Sequence, residues 1–221
     1  MENILPFKKY HTLLFDLDGT LTNPKEGITK SAAYALSHFG INANPDELIK
    51  VIGPPLLYSF KTFFGLSDAE AQLAREKYRE RFSAVGILEN LPYEGMDTLL
   101  KDLAAAGYNM LVATSKPTVF AMRIIENFGY SGFFSAIIGA ELNGARSEKD
   151  AIIEEALESQ GIKDRAGCLM IGDREYDVYG AQKNGIDCAG VLYGFGTREE
   201  LQNAGATYFI ENVEGLRRLL L

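Results

Sequence analysis

Residues 13–21 read Leu-Leu-Phe-Asp-Leu-Asp-Gly-Thr-Leu. An apolar run stops at two carboxylates, Asp16 and Asp18, followed by Gly19 and Thr20. This is the pattern of a buried strand ending in a polar turn. In open α/β sheets, ligands bind beyond the carboxyl ends of the strands, so both acids stand where a site is expected. Two further apolar runs end in a similar way. Met110-Leu111-Val112-Ala113 stops at Thr114-Ser115-Lys116-Pro117, and Cys168-Leu169-Met170-Ile171 stops at Gly172-Asp173. If the three strands are neighbours, their polar ends meet above one edge of a sheet.

The rest of the chain alternates between strand and helix signals, except in one block. Between residues 22 and 88 no strand pattern of any strength occurs. Ile28, Ala32, Ala35, Leu36 and Phe39 recur at helical spacing up to Gly40. Asn44-Pro45-Asp46-Glu47 carries the N-cap, first-position proline and first-turn acids of a helix that should end near Gly53-Pro54-Pro55. Leu56 to Phe64 predicts a short apolar helix. Ser67-Asp68-Ala69-Glu70 has the capping-box spacing of a long charged helix through about Phe82. Tyr58, Phe60, Phe63, Phe64, Tyr78 and Phe82 read as the core of this block, with one or two of them facing a substrate cavity. The stretches 21–25 and 89–95 flank it as linkers and candidate hinges. Beyond them, strands are expected at 136–138, 188–192 and 208–210. Helices are expected over about 96–106, 117–128, 148–160, 175–184, 197–204 and 213–220. Strands alternating with helices imply an α/β fold with a parallel sheet. The expected division is a core of residues 1–21 and 92–221 and an inserted helical domain of residues 22–91.

The formal net charge of −8 argues against a partner that presents a phosphate backbone, because nucleic-acid surfaces are met by basic patches. It leaves small phosphorylated ligands open, since a bound divalent cation reverses the local charge of an acidic site. Cys168 and Cys188, the only cysteines, lie in apolar runs and read as buried free thiols suited to a reducing cytoplasm. The start Met-Glu-Asn-Ile-Leu-Pro lacks the basic and apolar regions of a signal peptide, and no apolar run approaches a membrane span. The expected setting is therefore cytoplasmic, without a membrane partner, for a monomer or homodimer. His11 and His38 are unpaired in sequence, and no histidine chemistry is expected.

Taken together, Asp16-Leu-Asp-Gly-Thr-Leu21, the Thr114 strand end, Lys149 at a helix start, and Gly172-Asp173-Arg-Glu-Tyr-Asp177 resemble the four motifs of the haloacid dehalogenase-like phosphohydrolases. The helical block after the first motif resembles the cap of their phosphoglycolate phosphatase-like branch. The resemblance covers nearly the whole chain. Its first and fourth motifs are specific in combination, and its second and third are weak alone. It implies a Rossmann-like parallel sheet core with an inserted all-helical cap domain. The implied activity is Mg2+-dependent hydrolysis of a small phosphate monoester, such as phosphoglycolate, a nucleoside monophosphate (a 5′-nucleotidase activity) or a sugar phosphate. A phosphomutase or pyrophosphatase on the same scaffold is the enzymatic alternative. A catalytically idle binding module is the other, and it predicts damage to the motifs that is not found here.

By the same resemblance Asp16 is the nucleophile that forms an aspartyl-phosphate, splitting one hard displacement into two. Asp18 is the general acid, then the base. Thr114 holds the phosphate with the backbone N–H groups of Gly19 and of the following helix start, Thr20 is counted with the substrate-binding residues, and Lys149 offsets the repulsion between carboxylate and phosphate. Arg146 is a minor rival to Lys149. Asp16, Asp173 and the backbone carbonyl of Asp18 form the implied Mg2+ set. Asp177 supports it, either through water on the metal or by positioning Lys149. Ser115 either contacts substrate or caps the following helix. Lys116 either touches substrate or is an ordinary surface lysine. Arg174 and Glu175 read as surface residues. The Gly53-Pro54-Pro55 break either faces the site or is a plain turn.

Overall fold

The computed structural model describes residues 9–142 and 147–221. The chain divides into two compact units, Met1–Leu21 with Pro92–Leu221, and Thr22–Leu91.

The first unit is built on a six-stranded, all-parallel sheet. In chain order its elements are β1 (Thr12–Phe15), with β2 (Thr22–Asn23), α1 (Lys25–Ser37), α2 (Leu56–Phe64), α3 (Asp68–Ala84) and β3 (Leu91–Pro92) lying at or within the insertion that follows. The chain then returns through α4 (Met96–Ala105), β4 (Asn109–Pro117), α5 (Thr118–Asn127), β5 (Ala136–Ala140) and α6 (Lys149–Ser159). It closes with β6 (Cys168–Gly172), α7 (Glu175–Lys183), β7 (Asp187–Val191), α8 (Arg198–Ala204), β8 (Tyr208–Ile210) and α9 (Val213–Leu220).

The strand order is β5-β4-β1-β6-β7-β8. The first strand of the chain therefore sits between the two strands whose ends carry Thr114 and Asp173. Its register runs from Thr12 opposite Asn109 and Cys168 to Phe15 opposite Val112 and Ile171. β1 and β6 are buried along their whole length, as parallel strands covered on both faces must be. On one face Leu14, Leu111, Ala113 and Met170 pack against Ile152, Ile153 and Ala156 of α6 and Val178 and Ala181 of α7. Cys168 and Cys188 are buried free thiols in this layer, as expected. β4 is longer than the expected 110–113. It continues to Pro117, and its register against β5 shifts between Thr114 and Pro117.

The second unit is helical apart from the two-residue strands β2 and β3, which pair where the chain passes between the units. That pairing has no alternating pattern long enough to be read from sequence. α1 and α2 pack on α3, and Leu36, Phe60, Tyr78 and Phe82 are buried among them. Tyr58, expected in this core, is 51% exposed. It occupies the outward face of α2, where Phe60 faces inward. The capping box forms in full: Ser67 Oγ accepts from the Glu70 N–H, and Glu70 returns a carboxylate to the Ser67 N–H at 2.8 Å. The helix expected after Asn44 is replaced by two 3₁₀ turns, Pro45–Glu47 and Ile49–Val51. The Asn44 side chain does cap, accepting from the Asp46 N–H at 3.1 Å. However, Ile52 is already extended, and the prolines at 54 and 55 lack N–H donors. Too few residues remain between cap and break for an α-helix to propagate. Glycines allow the closest crossing in this unit: a Cβ on Gly27 would stand 2.0 Å from the Gly86 carbonyl oxygen. Arg81 then grips Glu89 with two hydrogen bonds of 2.8 and 2.9 Å.

Among the described residues no helix is long and apolar enough to cross a membrane.

Candidate active site

Three strand ends and one helix start supply the site. Asp16 follows β1 directly, and its N–H donates to the Ile171 carbonyl at 2.9 Å, which continues the β1–β6 ladder by one residue. Leu17 is fully buried, and Asp18 comes after it. The turn then enters the left-handed region at Gly19, with φ +92°. A Cβ there would lie 2.2 Å from Asp173 Oδ2, so both conformation and space require glycine.

Asp173 follows β6 and is 1% exposed. Its Oδ2 accepts from the Phe195 N–H at 2.7 Å, while Oδ1 has no hydrogen-bond partner among the described residues. α7 starts two residues later and places Asp177 in its first turn. Asp177 Oδ2 accepts from the Arg174 N–H at 3.1 Å, and Oδ1 lies 2.8 Å from Lys149 Nζ. Lys149 opens α6. Its ammonium also reaches Asp16 Oδ1 at 2.9 Å and donates to the Ala113 carbonyl at 3.1 Å. Three acceptors match its three N–H bonds. Gly180 of α7 makes room for this stem, since a Cβ there would be 2.9 Å from Lys149 Cγ.

Asp16, Asp173 and Asp177 bring carboxylate oxygens within 4.8 Å of one another, and all three are buried. The single ammonium of Lys149 faces them. Burial, then the charges of Asp177 and Asp16, push Asp173 well above the usual carboxylate range. Burial also pushes Asp177 up to about 6, against the pull of Lys149. Burial opposes the charge on Lys149, but Asp16 and Asp177 outweigh it and raise its pKa. This excess of negative charge, with one buried Asp173 oxygen left without a donor, fits a hard divalent cation. Mg2+ takes oxygen ligands of this type and few of them from protein.

Asp18 stands apart from this trio. It forms an ion pair with Lys116, and the two side chains are 15% and 6% exposed. Burial raises the Asp18 pKa and Lys116 opposes the rise. The surface-lysine reading of Lys116 is therefore corrected. Thr114 is 2% exposed, and its hydroxyl oxygen accepts from the Lys116 N–H at 3.3 Å. Ser115 turns elsewhere and donates to the Ser147 carbonyl at 3.2 Å. It does not cap α5, whose N-cap position is Pro117, without a side-chain bond. Thr20 is fully buried, its hydroxyl unpaired among the described residues, and its carbonyl accepts from the Tyr193 hydroxyl at 3.2 Å. Asp177 is no solvated helix charge, since both of its oxygens are engaged at 1% exposure. Arg174 is not a free surface residue either; its Nε lies 2.7 Å from Glu200 Oε1, which also accepts from the Glu175 N–H at 3.0 Å. Arg146 lies outside the described residues. His11 bonds Thr12 and Asp164, and His38 bonds the Tyr34 carbonyl.

Sequence reasoning missed the loop after β7. Gly194, Phe195 and Gly196 lie against Asp173. A Cβ on Gly194 would stand 2.4 Å from the Gly19 carbonyl oxygen and 2.5 Å from Asp173 Oδ2, and one on Gly196 would stand 1.9 Å from the Asp173 carbonyl oxygen. The signal available was the Gly-Phe-Gly triplet just beyond an apolar strand, at a fourth position along the same sheet edge. Tyr193 and Tyr93 pack edge to face beside it, with centroids 4.8 Å apart. Burial and the nearby charges of Asp173 and Asp18 raise the Tyr93 pKa, so its phenol stays protonated.

Residues 13–191 match the family model of haloacid dehalogenase-like hydrolases. A 5′-nucleotidase of Pseudomonas aeruginosa is 45% identical over 214 residues, covering 96% of each chain. The tyrosine-protein kinase PtkA of Mycobacterium tuberculosis is 35% identical over 204 residues, which are 91% of this chain and 69% of that one. The crystal structure of a predicted phosphatase from Clostridium acetobutylicum superposes with a TM-score of 0.91 at 47% identity, covering 95% of this chain and 97% of that chain.

Proposed function

The chain belongs to the haloacid dehalogenase-like hydrolases and is a phosphatase of that family, and we propose that it hydrolyses small phosphate monoesters, nucleoside 5′-monophosphates first, through an aspartyl-phosphate on Asp16. The observation that carries the reading is the Asp16 carboxylate at the end of the central strand. It is held at 2.9 Å by a buried lysine and flanked by Asp173 and Asp177, with a second carboxylate, Asp18, two residues along. The ranking of nucleotides rests on the 45% identity to a 5′-nucleotidase.

In this reading an Asp16 carboxylate oxygen attacks phosphorus, and the bond from phosphorus to the alcohol oxygen breaks. Asp18 delivers its proton to the departing oxygen. It then takes a proton from the water that attacks the aspartyl-phosphate. The phosphorus–Asp16 bond breaks, and inorganic phosphate and the free carboxylate result. Lys149 keeps Asp16 aimed and lowers the cost of bringing a phosphate dianion toward a carboxylate. Asp177 fixes Lys149 in turn, which favours the positioning role over a contact through metal-bound water. Thr114 supplies a hydroxyl to a phosphoryl oxygen. Asp16 and Asp173, with the Asp18 backbone carbonyl, would hold Mg2+, which when bound supplies positive charge against the phosphoryl oxygens. The linkers on either side of the helical unit act in this proposal as hinges that exclude bulk water during the first transfer.

A phosphate-release screen over nucleotides, sugar phosphates, phosphoglycolate and pyrophosphate, ranked by kcat/KM with Mg2+, tests the reading. Nucleoside monophosphates are expected at the head. Asp16→Asn is expected to abolish release while keeping the parent's circular dichroism spectrum. Near-parental release from Asp16→Asn would overturn the nucleophile assignment. Turnover of a hexose phosphate without phosphate release would point to a phosphomutase.

A further inference from the structure

Asp173 is held from two sides. On one side its Oδ2 accepts from the Phe195 N–H at 2.7 Å, in the loop that leads from β7 into α8. On the other side the chain turns directly into α7, whose N-cap position is Arg174. An arginine side chain has no acceptor, so it cannot cap the helix it opens. Asp177 accepts from the Arg174 N–H, but the next N–H goes to another helix: Glu175 donates to Glu200 Oε1 at 3.0 Å. The same oxygen accepts from Arg174 Nε at 2.7 Å, with both side chains 19% exposed and so shielded from most competing water. The Arg174 guanidinium also lies over the Tyr176 ring, 5.8 Å from its centroid. Glu200 stands in the first turn of α8, where the Thr197 hydroxyl accepts from its N–H at 3.1 Å.

These contacts close a ring. It runs from Asp173 through Arg174 and Glu175 to Glu200, back along α8 to Thr197, through Gly196 to Phe195, and returns to Asp173 Oδ2. Gly196 keeps it tight, since a Cβ there would stand 1.9 Å from the Asp173 carbonyl oxygen. We propose that Glu200 is a positioning residue for the metal site: by tying the first turn of α8 to the first turn of α7, it holds the Phe195 N–H against Asp173 Oδ2 and leaves the unpartnered Oδ1 set for a divalent cation. The proposal rests on the reading of Asp16 and Asp173 as the Mg2+ set. A carboxylate bound through one oxygen to a fixed N–H presents the other in one direction, and groups that orient a ligand in this way raise metal affinity. The Phe195 N–H is only as fixed as its loop, which β7 anchors at one end and α8 at the other. Glu200 pins the α8 end. Its negative charge would also attract a cation at any geometry, and the two effects separate by substitution. Glutamine keeps an acceptor oxygen at the same reach and loses the charge. Aspartate keeps the charge and falls one methylene short of both donors.

The test titrates Mg2+ calorimetrically, without substrate, into the chelator-treated parent, Glu200→Gln, Glu200→Asp and Ser67→Ala. Glu200→Asp is expected to weaken Mg2+ binding about tenfold, the lower end of the range for loss of a group that orients a metal ligand. Glu200→Gln is expected to stay close to the parent. Ser67→Ala, which removes a helix cap in the helical unit, controls for general loss of stability and is expected to bind Mg2+ as the parent does. The reverse order, with Glu200→Gln weakened and Glu200→Asp unchanged, would mean that bare charge acts and would overturn the positioning role. Equal weakening in the two, or parental affinity in both, would overturn it as well. If the parent itself binds no Mg2+, the metal reading of Asp16 and Asp173 fails, and the role of Glu200 with it.

Discussion

Lys149→Met removes the one cation of the carboxylate trio while keeping the length of the side chain. In the parent the ammonium lies 2.9 Å from Asp16 and 2.8 Å from Asp177, with side-chain exposures of 5%, 12% and 1%. Removing one partner of a buried, hydrogen-bonded ion pair costs about 3–5 kcal/mol, because the remaining charges are left uncompensated. For a domain of this size that is a fall in Tm of roughly 6–20 °C. The loss depends on pH in a defined direction. Asp177 sits at about 6 even with Lys149 in place, and Asp173 lies well above the ordinary range. Without the ammonium, Asp177 loses its largest downward pull and keeps the weaker one of the Arg174 N–H. A carboxyl raised in the fold contributes full stability below its unfolded value near ~3.9 and loses it as pH rises through the folded value. The variant is therefore expected to approach the parent near about pH 5 and to fall furthest behind at about pH 8. Urea unfolding followed by circular dichroism, in chelator and across that range, measures it. Millimolar Mg2+ should restore part of the difference, since an ion bound only by the folded state stabilises it. A variant as stable as the parent at the upper pH, without divalent ions, would refute the claim that Lys149 neutralises the trio.

Gly194→Ala is expected to lower the Mg2+ affinity of the folded protein about tenfold or more by calorimetry, with the far-ultraviolet spectrum unchanged, because its Cβ would lie 2.4 Å from the Gly19 carbonyl oxygen and 2.5 Å from Asp173 Oδ2; unaltered affinity would show that the loop does not position Asp173. Chelation of divalent ions should abolish phosphate release and addition of Mg2+ should restore it, and full activity in chelator would contradict the charge argument at Asp173. Ser67→Ala removes the capping box of α3 and should cost about 1 kcal/mol in urea unfolding, without affecting kcat.

What the sequence made legible follows from the range of the forces involved. The ends of β1 and β6 were readable because an apolar run meeting Asp and Gly is a local pattern, and the parallel topology then brings the ends together. The Ser67–Glu70 box was readable for the same reason, since both bonds close within four residues. The stretch 45–52 was misread because its cap is genuine. The prolines that follow leave the helix too little length, and that constraint acts from outside the window in which the cap is recognised. The Gly194–Gly196 loop was missed because its contribution to Asp173 is a backbone N–H, which has no residue-type signature. Only the crowding of two glycines against the site gives it away.

Lys116 shows where local reading stops. Counted along a regular strand, it lies on the same face as Thr114, and nothing in the pattern separates it from a surface lysine before a helix. Its burial comes from the register shift in β4 and from Gly139 on the neighbouring strand, two features that act only once the sheet is assembled. Lys149 has a similar history with a different result: its helix position was legible, but its three acceptors come from β1, β4 and α7. A cation fixed by three acceptors can neutralise but cannot move. Lys149 therefore supplies standing charge to the carboxylates, and the acceptors that fix it meet only in the assembled sheet.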